Sequence, residues 1–144
     1  MDKYRISIIG ATTLGGQELV RILEERQFPL ESLTLWTTDD TANRTISAPR
    51  RAYTVQALGH ENEKDAFQET DIVFFIEGDN TSRHLVPKAV QAGALAIDSS
   101  SVFRMDEGVP LVIPEINPED IRSHRGIIAS PGCSTIIFNT AVYP

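Results

Sequence analysis

The sequence predicts an α/β fold, a Rossmann-like, doubly wound and mostly parallel sheet, with residues 1–144 forming one dinucleotide-binding domain. Three observations predict it. Short apolar runs alternate with amphipathic segments, as strands and helices do when they follow one another along the chain. The first strand-to-helix junction is rich in glycine. One run, Asp71 to Ile76, is apolar almost throughout, as in a strand covered on both faces.

In chain order, Arg5 to Ile9 is an isoleucine-rich run that stops at Gly10. A helix is expected over Gly16 to Arg26, with Leu19, Ile22 and Leu23 on one face and Glu18, Glu24 and Glu25 turned toward water. Leu33 to Trp36 is the second strand. Tyr53 to Leu58 alternates weakly and reads as an edge or third strand, and Glu61 to Gln68 as a short polar helix. After the DIVFFI strand a helix runs from about Thr81 to Ala92, stopped by Gly93. Pro87 strains that helix unless it lies in the first turn or at a kink. Leu95 to Asp98 is the next strand. Asn117-Pro118-Glu119-Asp120 marks a helix start, with a capping side chain, proline at the first position and acids in the first turn. Gly126 to Ala129 is the last strand, followed by a Pro131-Gly132 turn and a helix from Ser134. No internal repeat or low-complexity linker interrupts this order. The apolar close at Ala141–Pro144 reads as a piece of a longer protein, with a second, catalytic and dimerisation domain outside this chain.

Composition narrows the function classes. A chain of 144 residues buries a core but is small for a complete two-substrate enzyme. With 41% hydrophobic and 23% charged residues it has an ordinary globular balance rather than a disordered one. A net charge of -7 without a block of Lys or Arg argues against nucleic acid or an anionic membrane as partner. The single cysteine excludes an internal disulfide, and no apolar leader or long apolar span is present, so a reducing cytoplasm is expected. One cysteine and three histidines, His60, His84 and His124, lie far apart in sequence, and no metal site is expected from them.

Four places carry candidate chemistry. In Gly10-Ala11-Thr12-Thr13-Leu14-Gly15-Gly16, a tight turn between strand and helix lets backbone N–H groups and the helix dipole meet a pyrophosphate. The alternative is a structural turn that binds nothing. Asp39 and Asp40 follow the second strand, about 23 residues after the last turn glycine, where an acid accepts from ribose hydroxyls and repels a 2′-phosphate. That favours NAD over NADP, although Arg44 is near in sequence and a solvated loop acid is the other reading. Cys133 follows a strand end and a Pro-Gly turn and precedes a helix, so its thiol feels the positive end of a dipole that favours thiolate. An inert buried cysteine is the alternative. Arg104 ends a hydroxyl-rich loop, Ser99-Ser100-Ser101-Val102-Phe103-Arg104, suited to a phosphate or carboxylate.

Three segments and their spacing, GATTLGGQELVRIL from Gly10, IDSSSVFRMDEGVPLVIPEINPE from Ile97 and GIIASPGCSTI from Gly126, resemble aspartate-semialdehyde dehydrogenase, over that family's N-terminal, cofactor-binding half. The Pro-Gly-Cys turn is also similar to N-acetyl-glutamyl-phosphate reductase, and a non-catalytic paralogue keeping the fold as a binding module is a third reading. The resemblance implies an acyl-phosphate substrate, attack by Cys133 to give a thioester, release of phosphate and hydride delivery from NAD or NADP. It implies that Arg104 holds phosphate and that Gly10, Thr12, Thr13, Leu14, Gly15, Gly16, Thr37, Asp40, Gly78 and Ser99 line the cofactor. It also implies a homodimer or larger assembly of the longer protein.

The chain departs from the family pattern at several points. The middle glycine of the turn is Thr13, and Asp40-Thr41 replaces an Arg-Ser pair that suits a 2′-phosphate. A small-residue loop becomes Glu77-Gly78-Asp79-Asn80, Asp-Asn-Ser-Ser becomes Asp98-Ser99-Ser100-Ser101, and the asparagine before the cysteine is Gly132. These departures suggest a divergent paralogue with altered cofactor use or reduced activity. The family's catalytic histidine and substrate-binding arginine belong to its second domain. His84 and His124 read as outer helix or loop and are not recruited as the base. The chain alone is therefore expected to bind a cofactor without turnover.

Overall fold

The computed structural model describes residues 2–144 and sets the isoleucine-rich strand, β1 (Tyr4–Ile9), at the middle of a seven-stranded sheet. Ile6 and Ile8 pack on one face and Ile9 on the other, all three no more than 1% exposed. Ser7 between them is also buried, and its hydroxyl donates to the Ala66 carbonyl at 3.0 Å. A strand with apolar groups on both faces needs cover on both, and the chain supplies it with helices.

The remaining elements are α1 (Leu14–Glu25), β2 (Leu30–Thr37), β3 (Thr45–Ser47), β4 (Ala52–Ala57), α2 (Glu63–Phe67), β5 (Ile72–Phe75), α3 (Asp79–Gln91), β6 (Leu95–Asp98), a 3-10 turn (Pro118–Ser123), β7 (Ile127–Ala129) and α4 (Cys133–Val142). The sheet order is β3-β4-β2-β1-β5-β6-β7, parallel throughout except for the β3–β4 hairpin. From β1 the chain winds outward to β4, then crosses back to β5 on the other side of β1 and winds outward again. This is the doubly wound α/β sheet expected from the sequence. Its strand order reverses between β1 and β5, which places a crevice at the carboxyl ends of those strands.

One core cluster joins Val20 and Leu23 of α1 to Ile6, Ile8, Leu35 and Val55. The other joins Phe67 of α2 and Leu85, Val86 and Ala89 of α3 to Ile9, Val73 and Phe75. Beyond β7, the segment around Leu111 adds a parallel bridge to Ala129, with Val112 N donating to the Ala129 carbonyl and Ala129 N to the Pro110 carbonyl, both at 3.0 Å. Among the described residues no helix is long and apolar enough to cross a membrane.

Several local expectations are corrected. Helix α1 begins at Leu14 rather than Gly16, because the Thr13 hydroxyl caps it by accepting from Gly16 N at 3.0 Å. The 3-10 turn at Pro118 replaces an α-helix: Asn117 accepts from Ile113 N at 2.8 Å and donates to the Leu111 carbonyl at 3.0 Å, so its side chain braces the preceding loop. Pro87 lies inside α3, with Pro87 and Arg83 both exposed. The carbonyl that loses its helical partner thus faces water, which explains how the helix continues.

Glu24, expected to face water, is buried, its side chain 3% exposed. Its carboxylate accepts from the Tyr53 hydroxyl and, at 3.3 Å, from Arg51 Nε, which also reaches the Tyr53 oxygen at 2.7 Å. The Tyr53 hydroxyl holds the Glu24 carboxyl below its ordinary value, burial opposes this, and Arg51 adds to the lowering. A lowered folded value means stability that is complete above the unfolded carboxylate value of about 4.3 and is lost as pH falls through the lower folded value. Tyr53→Phe removes the principal cause, so it should cost about 1–3 kcal/mol at neutral pH. Urea denaturation curves should show the gap to wild type narrowing as the pH is taken down through that window. A gap independent of pH would mean that packing, not the carboxylate, accounts for the loss.

Candidate functional site

The turn after β1 is built around Gly10, whose φ of +87° is open to glycine and strained for other residues. Gly10 N and Ala11 N both donate to the Trp36 carbonyl at 3.0 Å, which pins the turn to the end of β2. A β-carbon at Gly10 would lie 2.8 Å from the Glu77 β-carbon and from the Ile76 backbone. The turn therefore closes directly onto the segment leaving β5, as the reversal of strand order requires.

Thr13 donates its hydroxyl hydrogen to the Gly10 carbonyl at 2.7 Å while capping Gly16 N. The side chain that replaces glycine is thus engaged in holding the turn. Leu14 N and Gly15 N, at the start of α1, have no acceptor among the described residues and are free for an anion. Gly16 is buried, and α1 rests against the turn there.

A hydroxyl network joins this turn to the loop after β2. Thr41 Oγ1 lies 2.9 Å from Thr12 Oγ1, and Asp39 Oδ1 accepts from Thr37 Oγ1 and Thr41 N, each at 2.8 Å, and from the Thr41 hydroxyl. The Thr41 hydroxyl, then that of Thr37, holds the Asp39 carboxyl below its ordinary value. Asp40 beside it is exposed. From across the crevice, Glu77 Oε1 accepts from Thr38 N at 2.9 Å. Three carboxylates, Asp39, Asp40 and Glu77, thus surround the carboxyl end of β2. Glu77 and Thr41, which the sequence marks only as departures from the family pattern, are joined by the fold to the cofactor turn and the end of β2.

Gly78, with φ +126°, leads into α3, whose first residue Asp79 accepts from Ser101 N at 2.9 Å and Ser101 Oγ at 2.6 Å. Ser99 is held by the end of β5, its N and Oγ donating to the Phe75 carbonyl at 3.0 and 2.9 Å. Asp98 is fully buried between the hydroxyls of Ser82, at 2.6 Å, and Ser100, at 2.5 Å. The serine-rich loop is therefore fixed from below, and its backbone fixes Arg104.

Arg104 Nη2 donates to the Ser99 carbonyl at 2.8 Å and Nε to the Ser130 carbonyl at 2.9 Å. The guanidinium so bridges the loops after β6 and β7. A β-carbon at Gly132 would lie 3.5 Å from Arg104 Nη1, a nitrogen with no acceptor among the described residues. Cys133 is the next residue, the first of α4, exposed and unpaired. The structure thus brings Arg104 beside the turn that presents Cys133. It puts the Gly10 turn three strand spacings away, about 14 Å across the sheet.

The three histidines divide. His124 is exposed, and its Nδ1 accepts from Gly126 N at 3.0 Å. His60 and His84, separated in sequence, converge on Glu63. The expectation that distance along the chain keeps these ligand types apart is corrected: α2 packs beside α3, and donor atoms of His60, Glu63 and His84 lie within 4.8 Å of one another.

Residues 5–124 match the family model for the semialdehyde dehydrogenase NAD-binding domain. The chain is 42% identical over 143 residues to aspartate-semialdehyde dehydrogenase of Aquifex aeolicus, covering 98% of this chain and 41% of that protein. Against the Bacillus subtilis enzyme of the same name it is 40% identical over 139 residues, covering 96% and 39%. Among solved structures, aspartate semialdehyde dehydrogenase II of Vibrio cholerae, complexed with ASA, superposes with a TM-score of 0.87 at 34% identity, covering 98% of this chain and 45% of that one. The chain thus spans about two fifths of the length of these curated relatives.

Proposed function

The chain belongs to the semialdehyde dehydrogenase family through its NAD-binding domain, and from that premise we propose that it is the cofactor-binding part of an oxidoreductase converting an acyl phosphate, of the aspartyl type, to a semialdehyde. The observation that carries this reading is the Arg104 guanidinium, anchored on two carbonyls and leaving Nη1 beside the turn that presents Cys133. A phosphate held there sets an acyl carbon near an exposed sulfur at a helix N-terminus. The Cys133 thiolate attacks that carbon, the acyl–oxygen bond breaks and phosphate leaves with its electron pair, giving a thioester on Cys133. A nicotinamide dinucleotide bound in the crevice would supply the hydride that reduces this thioester, with Cys133 leaving as the thiolate when the semialdehyde forms.

In this reading Leu14 N and Gly15 N hold the cofactor pyrophosphate, with Gly10, Thr12, Thr13 and Gly16 shaping the turn around it. Thr37, Gly78 and Ser99, at the carboxyl ends of β2, β5 and β6, line the path from adenosine to nicotinamide. Asp39, Asp40 and Glu77 surround the ribose end, where a 2′-phosphate would meet three carboxylates. NAD is therefore the preferred cofactor. Calorimetric titration should give NAD at least about tenfold tighter than NADP, with the gap shrinking as salt is raised. Tighter binding of NADP would refute the assignment.

The general base and substrate walls come from the remaining part of the longer protein, so residues 1–144 are a dinucleotide-binding domain that does not turn over alone. Helix α4 supports this division: Ile137, Phe138, Val142 and the following Tyr143 are all more than half exposed. Such an apolar surface fits a docked second domain within a homodimer or larger assembly. A cytoplasmic setting suits the free thiol, and the net negative charge disfavours nucleic acid and anionic membranes as partners.

A further inference from the structure

Glu63 opens α2 with its side chain 12% exposed, and three nitrogens crowd its carboxylate. His60 Nδ1 is 2.9 Å and His84 Nε2 is 3.0 Å from the same oxygen, Oε1, while Lys88 Nζ contacts Oε2. Lys88 Nζ also lies 2.8 Å from His84 Nε2. That last contact conflicts with the second. An ammonium is only a donor and a carboxylate only an acceptor. If His84 Nε2 carries a proton it faces the ammonium hydrogens, and if it does not, its lone pair faces the carboxylate. Either protonation state satisfies one neighbour and opposes the other.

A metal ion removes the conflict, because it accepts a lone pair from the imidazole nitrogen and from the carboxylate oxygen at once. We propose that His60, Glu63 and His84 form a binding site for a divalent transition-metal ion such as zinc, with Lys88 as the internal cation it displaces. The donors are already gathered, all within 4.8 Å of one another. The loop that carries His60 is pinned on both sides of it, where Asn62 accepts from Gly59 N at 2.8 Å and donates to the Ala57 carbonyl at 2.9 Å. The Lys88 side chain is 41% exposed and has a flexible stem along which to withdraw. Two imidazoles and one carboxylate leave a fourth position, and a cavity of about 340 Å³ lined by Thr38, Asn80 and Leu85 opens beside His60, Glu63 and His84 to take a water there.

The test is calorimetric titration of Zn²⁺ into the chain bearing Cys133→Ser, which removes the exposed thiol as a competing ligand. One equivalent should bind, His60→Ala and His84→Ala should each weaken it at least about tenfold, and Lys88→Met should tighten it. The His60 side chain is 87% exposed, so its removal leaves the fold intact and decides the matter even if His84→Ala misfolds. Zinc affinity that vanishes with Cys133→Ser, that survives His60→Ala unchanged, or that falls in Lys88→Met would overturn the proposal.

Discussion

Replacing Gly16 with alanine should lower the thermal midpoint of the chain by roughly 10 °C and abolish dinucleotide binding. The reason is where α1 crosses the turn after β1. A β-carbon at Gly16 would lie 2.7 Å from the Ala11 α-carbon and closer still to the Gly10 carbonyl oxygen. Both are backbone atoms of a turn pinned by two hydrogen bonds to Trp36, so neither yields without moving β1 or α1. Overpacking a rigid site costs about 1–3 kcal/mol and here falls at the upper end. The same movement drags Leu14 N and Gly15 N from their positions, so binding fails with stability. Gly15→Ala is the control. Its β-carbon would meet only the Ile76 side chain, at 3.1 Å, and alanine favours a helix, so stability should change little. A methyl group where phosphate approaches should still weaken cofactor binding. If differential scanning calorimetry finds the two variants equally stable, close packing of α1 on the turn is not what Gly16 provides.

Cys133→Ser, introduced into the longer protein, should lower turnover by roughly four orders of magnitude while leaving NAD affinity unchanged. A serine hydroxyl at the same place is a far weaker nucleophile at neutral pH. Cofactor binding should persist because the thiol lies about 14 Å across the sheet from the Gly10 turn. Fluorescence titration with NADH and single-turnover kinetics separate the two effects. Retained turnover would remove Cys133 from the chemistry, and lost NADH binding would show that the residue shapes the cofactor site instead.

What the sequence revealed of this protein depended on how local the cause was. The apolar run Asp71 to Ile76 announces a strand covered on both faces, and Gly10 to Gly16 announce a βα turn, because both rest on neighbouring residues. The hairpin of β3 escaped notice since only Ile46 of its three residues is buried. Glu24 looked like a solvent-facing helix acid because the Tyr53 hydroxyl that holds it lies 29 residues away. His60, Glu63 and His84 were invisible as a group for the same reason: only the packing of α2 on α3 joins them. Asn117 misled in the opposite direction, since an asparagine before proline caps a helix unless its side chain has nearer backbone groups to serve. At the candidate site, Arg104 and Cys133 stood out by residue type and position. Their adjacency rests on two carbonyl contacts contributed by loops after different strands.

The two margins of the sheet have a consequence for how the molecule behaves at high concentration. On one side the last strand is β3, three residues long, with Thr45 and Ser47 exposed. On the other, the segment at Pro110–Val112 already occupies the hydrogen-bonding groups of Ala129 in β7. Neither margin offers a long bare row of N–H and C=O groups to a neighbouring molecule, so growth by strand addition has no template. Self-association of this chain, where it occurs, should therefore proceed through side chains on α4 and leave the β content of its circular dichroism spectrum unaltered, giving reversible clusters rather than fibrils.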